Sequence, residues 1–221
     1  MQAVESRPTS VGPHTKDMLI LVIGLVFALA LLFVPRILGR SQAATLEQYE
    51  ILERRFHLNR RTFSSAWGAG IGERATLEGE FRGYSLSLYD HSNDSDPLKR
   101  VWTTLAFEAP FAGEREIRLC PRPAIDESWF PESGRLGEVE MELSGWILLA
   151  SDALEAPQTL NEEVRDRLEA FPREGAFRLS KGFFEYREIG RMENADMRIR
   201  FQEALLILAD WSDRLEELIR R

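Results

Sequence analysis

Residues 75–89 read ATLEGEFRGYSLSLY, and this stretch decides the fold. Ala75, Leu77, Gly79 and Phe81 alternate with Thr76, Glu78 and Glu80, and Tyr84, Leu86 and Leu88 alternate with Ser85, Ser87 and Tyr89. A period of two gives each segment one buried and one wet face, the mark of a half-buried strand. Arg82-Gly83 between them is a two-residue turn, so the pair reads as a β-hairpin.

Outward from the hairpin the same period continues. The stretch Asp90 to Pro97 is turn chemistry, and strands follow at Arg100 to Ala109 and Glu114 to Cys120, with Gly113 in the turn between them. Val101, Thr103, Leu105 and Phe107 share one face of the first of these. Four strands with short connections predict an antiparallel meander. Beyond a Pro-rich linker (Pro121, Pro123, Pro131), Gly137 to Ala150 reads as a strand with a break at Ser144-Gly145. Thr159 to Phe171 reads as a helix, with Thr159 and Glu162 as a capping box and Leu160, Val164, Leu168 and Phe171 as its apolar stripe. A second hairpin turns at Lys181-Gly182. Ala195 to Arg220 is a long amphipathic helix carrying Phe201, Leu205, Leu208, Leu215 and Leu218. The fold class is therefore α+β, a two-layer domain of antiparallel sheet with helices on one face.

Toward the amino terminus the period is lost altogether. Met18 to Val34 is an uninterrupted apolar run, MLILVIGLVFALALLFV, and Ile37 and Leu38 extend it past Arg36. At about 1.5 Å per residue, 20 such residues cross the roughly 30 Å bilayer core, so residues 18–38 are expected to form one transmembrane helix in contact with lipid. The expected organisation is a polar tail (1–17), that helix (18–38), a juxtamembrane helix and linker (41–72) and the α+β domain (73–221). In the juxtamembrane segment, Leu46, Tyr49, Leu52 and Phe56 form a stripe that must dock on the domain, on a sister chain or on the lipid surface. A signal peptide cut after Ser41-Gln42-Ala43 is the alternative, but the run exceeds the 7–15 residues of a signal core. Arg36, Arg40, Arg54, Arg55, Arg60 and Arg61 follow the run, against Arg7 and Lys16 before it. That bias puts the large domain on the cytoplasmic side of the membrane.

Composition narrows the partners. The net charge is −8, and past residue 40 there remain 24 basic residues against 34 acidic, a net of −10. Such a domain repels phosphate backbones, which argues against nucleic acid. The lone Cys120 excludes an internal disulfide.

The chemistry-bearing residues are scattered. His14, His57 and His91 have no second His or Cys at ligand spacing, so no metal site is expected. Asp90, Asn93, Asp94 and Asp96 lack the central Gly and closing Glu of a calcium loop and read as solvated turn carboxylates. Cys120, at a strand end before Pro121, reads as an inert thiol, and Asp126-Glu127 beside Trp129 and Phe130 could do acid–base work only if folding brought partners to them. Ser64 to Gly72 is rich in small residues but fails the dinucleotide spacing and lacks a preceding apolar strand and the Lys-Ser/Thr pair of a phosphate loop, and reads as a linker. No catalytic residue, cofactor or metal is assigned. Whether Asp126, Glu127, His91 and Cys120 meet in one cleft is a question for the structure.

Three stretches carry a resemblance: Gly79-Glu80-Phe81-Arg82-Gly83-Tyr84, Asp126-Glu127 with Phe130-Pro131, and Leu148 to Tyr186. In these the chain resembles uncharacterised bacterial membrane-anchored proteins that pair one or two transmembrane helices with an α+β domain. The resemblance implies that architecture and no activity or site residues. The function expected is a membrane-tethered, non-catalytic interaction or regulatory domain, binding a protein partner or a second copy. A ligand- or lipid-sensing domain with an apolar pocket between sheet and helices is the alternative, and a hydrolase built from dispersed acidic residues a further one.

Overall fold

The computed structural model describes residues 13–64, 73–92, 100–121, 139–150 and 156–221. The chain divides into two compact units, Met1–Gln42 and Ala43–Arg221. One helix, α1, runs Pro13–Phe56. In the first unit its described apolar side chains from Met18 to Leu29 stand 44% to 71% exposed. Among the described residues no helix is long and apolar enough to cross a membrane, and the side chains of residues 30–38 lie outside that set.

The second unit is α+β. Its strands are β1 (Asn59–Ser64), β2 (Glu73–Phe81), β3 (Tyr84–Ser92), β4 (Val101–Glu108), β5 (Ile117–Pro121), β6 (Val139–Leu143), β7 (Trp146–Ala150), β8 (Gly175–Ser180) and β9 (Phe183–Ile189). They form one nine-stranded sheet, order β1-β2-β3-β4-β9-β8-β5-β7-β6, with every pairing antiparallel. The helices besides α1 are α2 (Ala156–Thr159), α3 (Glu162–Ala170) and α4 (Ala195–Ile219).

Three hairpins turn on the same two-residue device. Arg82-Gly83, Ser144-Gly145 and Lys181-Gly182 all have positive φ at both positions, between 47° and 86°. That handedness matches the right-handed strand twist, and glycine takes the second position without a Cβ penalty. The break expected at Ser144-Gly145 is thus a full turn, and the single strand expected there is the hairpin β6–β7.

The four-strand meander needs correction. β4 does not pair with β5; the hairpin β8–β9 lies between them, so β4 pairs with β9 and β5 with β8. A 3-10 turn at Pro110–Ala112 carries the chain out of β4, with Ala109 N–H donating to Gly182 O at 2.7 Å. β1 was not foreseen, since NRRTFS has no apolar alternation; the α1 terminus creates it. His57 takes the left-handed conformation (φ 55°) and Leu58 N–H donates to Glu53 O at 3.0 Å. This is the six-to-one bond of a Schellman stop, which turns the chain into β1.

The helical face of the sheet holds the core. Phe201, Leu205, Leu208 and Leu215 of α4 are buried and Leu218 is half-buried, so the last helix packs on the sheet. Tyr49 and Leu52 of α1 are buried in the same core, with Leu46 and Phe56 packed against it. The juxtamembrane stripe therefore docks on its own domain. Val164, Leu168 and Phe171 close the layer around α3. Its cap is Asn161, which accepts from Val164 N–H at 2.9 Å. Thr159, expected in that role, instead takes the Trp211 indole N–H at 2.9 Å.

Candidate functional site

Register sorts the side chains into two faces. On the helical face Asp90, Thr103 and Glu188 fall in one row across β3, β4 and β9, a polar row in an apolar layer. Tyr49 OH and Thr103 Oγ1 both reach Asp90 Oδ1, at 3.0 and 2.8 Å. Arg200 grips Glu188 with Nε and Nη2 at 2.8 and 2.7 Å, and Tyr186 OH adds a bond at 2.6 Å. Burial first, then the neighbouring carboxylates, holds both phenols well above their ordinary pKa. The bonds that Arg200 donates to Glu188 raise the pKa of Arg200. Gly175 stands where any Cβ would lie 2.5 Å from Tyr186 OH, so the backbone itself makes room for the network.

This row joins distant elements of the fold. The cavity next to it, lined by Leu52, Phe56, Leu58 and Phe201 among others, measures about 20 Å³, against the roughly 300–1,000 Å³ of a ligand pocket. Asp90 and His91, read as loop residues, belong to β3. Asp90 is a structural acceptor, not a solvated turn carboxylate.

The opposite face has two parts. Across β4, β9, β8 and β5 it is buried: Trp102, Thr104, Arg187, Ala176, Cys120 and Arg118 are each at most 6% exposed. Arg118 and Arg178 stand directly opposite across β5–β8, an unfavourable like-charge pair. Carboxylates offset it, Glu116 at 2.7 Å from Arg118 and Glu185 at 2.9 Å from Arg178. Arg100 and Arg187 lie over the Trp102 ring at 4.9 and 5.8 Å. Toward the β1 edge the same face opens into a trench of about 630 Å³. Asn59, Arg61, Glu78, Ser85, Ser87, Ala106, Glu108 and Phe183 line it.

Of the residues singled out in the sequence, His91 and Cys120 share this face without meeting. Four strand spacings separate β3 from β5, about 19 Å at ~4.8 Å each. Burial pushes the Cys120 thiol up to about 12, which keeps it from serving as a thiolate nucleophile near neutral pH. Asp126, Glu127, Trp129 and Phe130, with Asn93, Asp94, Asp96 and residues 65–72, lie outside the described residues. Among the described residues no group of three or more His, Cys, Asp or Glu is placed to hold a metal ion.

Sequence reading missed the trench. Ser85 and Ser87 marked a wet strand face, but nothing local told which part of that face the fold would leave open.

The architecture has a solved counterpart. The crystal structure of the mycobacterial trehalose monomycolate transport factor A, TtfA, superposes with a TM-score of 0.51 at 11% identity, covering 80% of this chain and 94% of that one. The likeness is one of fold. No family model and no curated protein matches the chain.

Proposed function

We propose that the chain is a single-pass, membrane-anchored, non-catalytic interaction domain, with residues 18–38 in the bilayer and the α+β unit on the cytoplasmic side. The observation that carries this reading is the exposed apolar surface of α1 from Met18 to Leu29. Water does not tolerate so continuous an apolar face, and lipid does. The unbroken apolar sequence to Val34 supports a span, and the arginines after it support the orientation. The interaction role is favoured by a cavity of only about 20 Å³ beneath Leu52 and Phe56, a thiol held neutral, and an open trench at the β1 end of the sheet's other face.

Carbonate extraction of membranes tests the anchor: the full chain should stay in the pellet, and recovery in the supernatant would refute it. A reporter fused after Arg221 tests orientation, and activity only on the outer side would overturn it.

Lipid handling is the second reading, favoured by the fold shared with a factor named for trehalose monomycolate transport. The small cavity under Leu52 and Phe56 disfavours an enclosed acyl chain, so a lipid would have to bind outside the helix–sheet interface. Native mass spectrometry of the purified chain separates the readings, since a retained stoichiometric lipid belongs only to the second.

A further inference from the structure

We infer that the trench docks a basic segment of a second, different protein, with one arginine of that segment seated over Ser85. This rests on the interaction reading and gives it a partner. In the register Glu80 of β2 pairs with Ser85 of β3, and Glu108 of β4 pairs with Phe183 of β9. The next step of the β3–β4 ladder sets Ser85 against Glu108. One row across four neighbouring strands therefore reads carboxylate, hydroxyl, carboxylate, aromatic ring. At about 4.8 Å per strand, the two carboxylates spring from Cα atoms about 10 Å apart with only a serine between them. Ser85, Glu108 and Phe183 line the trench, and Glu80 lines a hollow that shares Ser85 with it.

The charge of this row selects the partner. Glu80 and Glu108 are exposed, and among the described residues neither has an ion-pair or hydrogen-bond partner. Arg61, the cation of the trench, lies 3.0 Å from Glu78, so it offsets that carboxylate and leaves the other two uncompensated. The same pair shows which chemistry this face accepts, a guanidinium against a carboxylate. One exposed carboxylate holds a cation weakly. Two flanking a single serine can take both edges of a planar guanidinium, whose forked donors suit them better than an ammonium. Phe183, 43% exposed beside Glu108, offers its ring to the flat face of that group. The trench, about 630 Å³, has room for the residues on either side of the arginine. Past residue 40 the chain carries 24 basic residues against 34 acidic, which draws a basic partner and repels another acidic copy.

The test uses the full chain in detergent at low ionic strength and a fluorescein-labelled peptide, Gly-Arg-Ser-Arg-Gly, read by fluorescence polarisation. The peptide should bind at least about tenfold more tightly than its twin with citrulline in place of arginine, which keeps the shape and loses the charge. Glu80→Gln and Glu108→Gln should each weaken binding about fivefold and Phe183→Ala about threefold. Ser85→Trp, which fills the exposed floor, should abolish it, and Glu203→Gln on the exposed side of α4 should leave it unchanged. Equal binding of the citrulline twin, indifference to Glu80→Gln and Glu108→Gln, an equal loss in Glu203→Gln, or displacement by spermidine at the peptide's own concentration would each overturn the docking site. A chain that stays in the carbonate pellet and retains no lipid, yet ignores the peptide, sinks this site and leaves the interaction reading standing. A retained stoichiometric lipid alongside peptide binding sinks that reading and leaves the site.

Discussion

The two faces of this sheet solve the same problem in opposite ways. On the helical face, the polar row is closed by partners from distant elements: Tyr49 of α1 on Asp90, Arg200 of α4 on Glu188. On the other face charged side chains pair mostly with neighbours on the same or the adjacent strand, such as Arg118 with Glu116 and Arg178 with Glu185. The first pattern ties tertiary structure together. The second settles charge locally and leaves the trench end free to meet something else. Stability should therefore reside on one face, and recognition on the other.

The most damaging way to break that contrast is Leu208→Asp. Leu208 is fully buried in the helix–sheet layer, and a carboxylate there should cost at least about 4 kcal/mol by lost packing and desolvation. Urea denaturation of residues 43–221 reads it, and an unchanged midpoint would mean that α4 is an interface helix. Glu188→Ala leaves Arg200 facing a buried void and should cost about 3 kcal/mol in the same assay.

Alkaline titration sharpens the contrast further. Tyr49, Tyr186 and Cys120 all have folded pKa values raised by burial. The unfolded chain releases these protons first, so stability holds below about pH 8.5 and falls as pH rises toward 12. Thermal melts between pH 7 and 11 should follow that slope, and Tyr49→Phe should flatten it. At pH 7 the same substitution removes one phenol bond and should cost about 1 kcal/mol. Smallest of all, Glu108→Gln on the trench rim should shift stability by less than about 0.5 kcal/mol. A larger loss would make the trench part of the fold's framework and blur the division of labour.

Local signals in the sequence were read faithfully by the fold. Alternation located β2 and β3, the X-Gly pairs located the turns, and the apolar stripe of 201–215 located the buried side of α4. What was illegible is non-local. The sequence around β4 and β5 contains short-range turn chemistry that suggests direct pairing, whereas the partner that wins, β9, lies about 75 residues downstream of β4. Asp90 looks like a turn residue because Asp with Asn and Pro nearby is turn composition; pairing with β4 makes it a strand residue, and Tyr49 and Thr103 converging on it make it a half-buried acceptor. Cys120 is legible at a strand end and His91 only as part of a loop, and their separation depends on β8 and β9 intervening. The trench could not be read at all, because its lining comes from five strands that only the tertiary fold brings side by side.

The placement of β8–β9 has a consequence in time. A ribosome adds roughly 5–20 residues per second, so β4 waits on the order of 4–15 s after its own synthesis before β9 exists to pair with it. During that interval the amino-terminal strands present Val101–Glu108 as a raw edge, six of whose eight side chains are buried in the finished sheet. Unsealed edges of that kind recruit other chains. The hairpin turning at Lys181-Gly182 is thus the closing piece of the sheet, and slowing its arrival should raise aggregation of the nascent protein without altering the stability of any molecule that finishes folding.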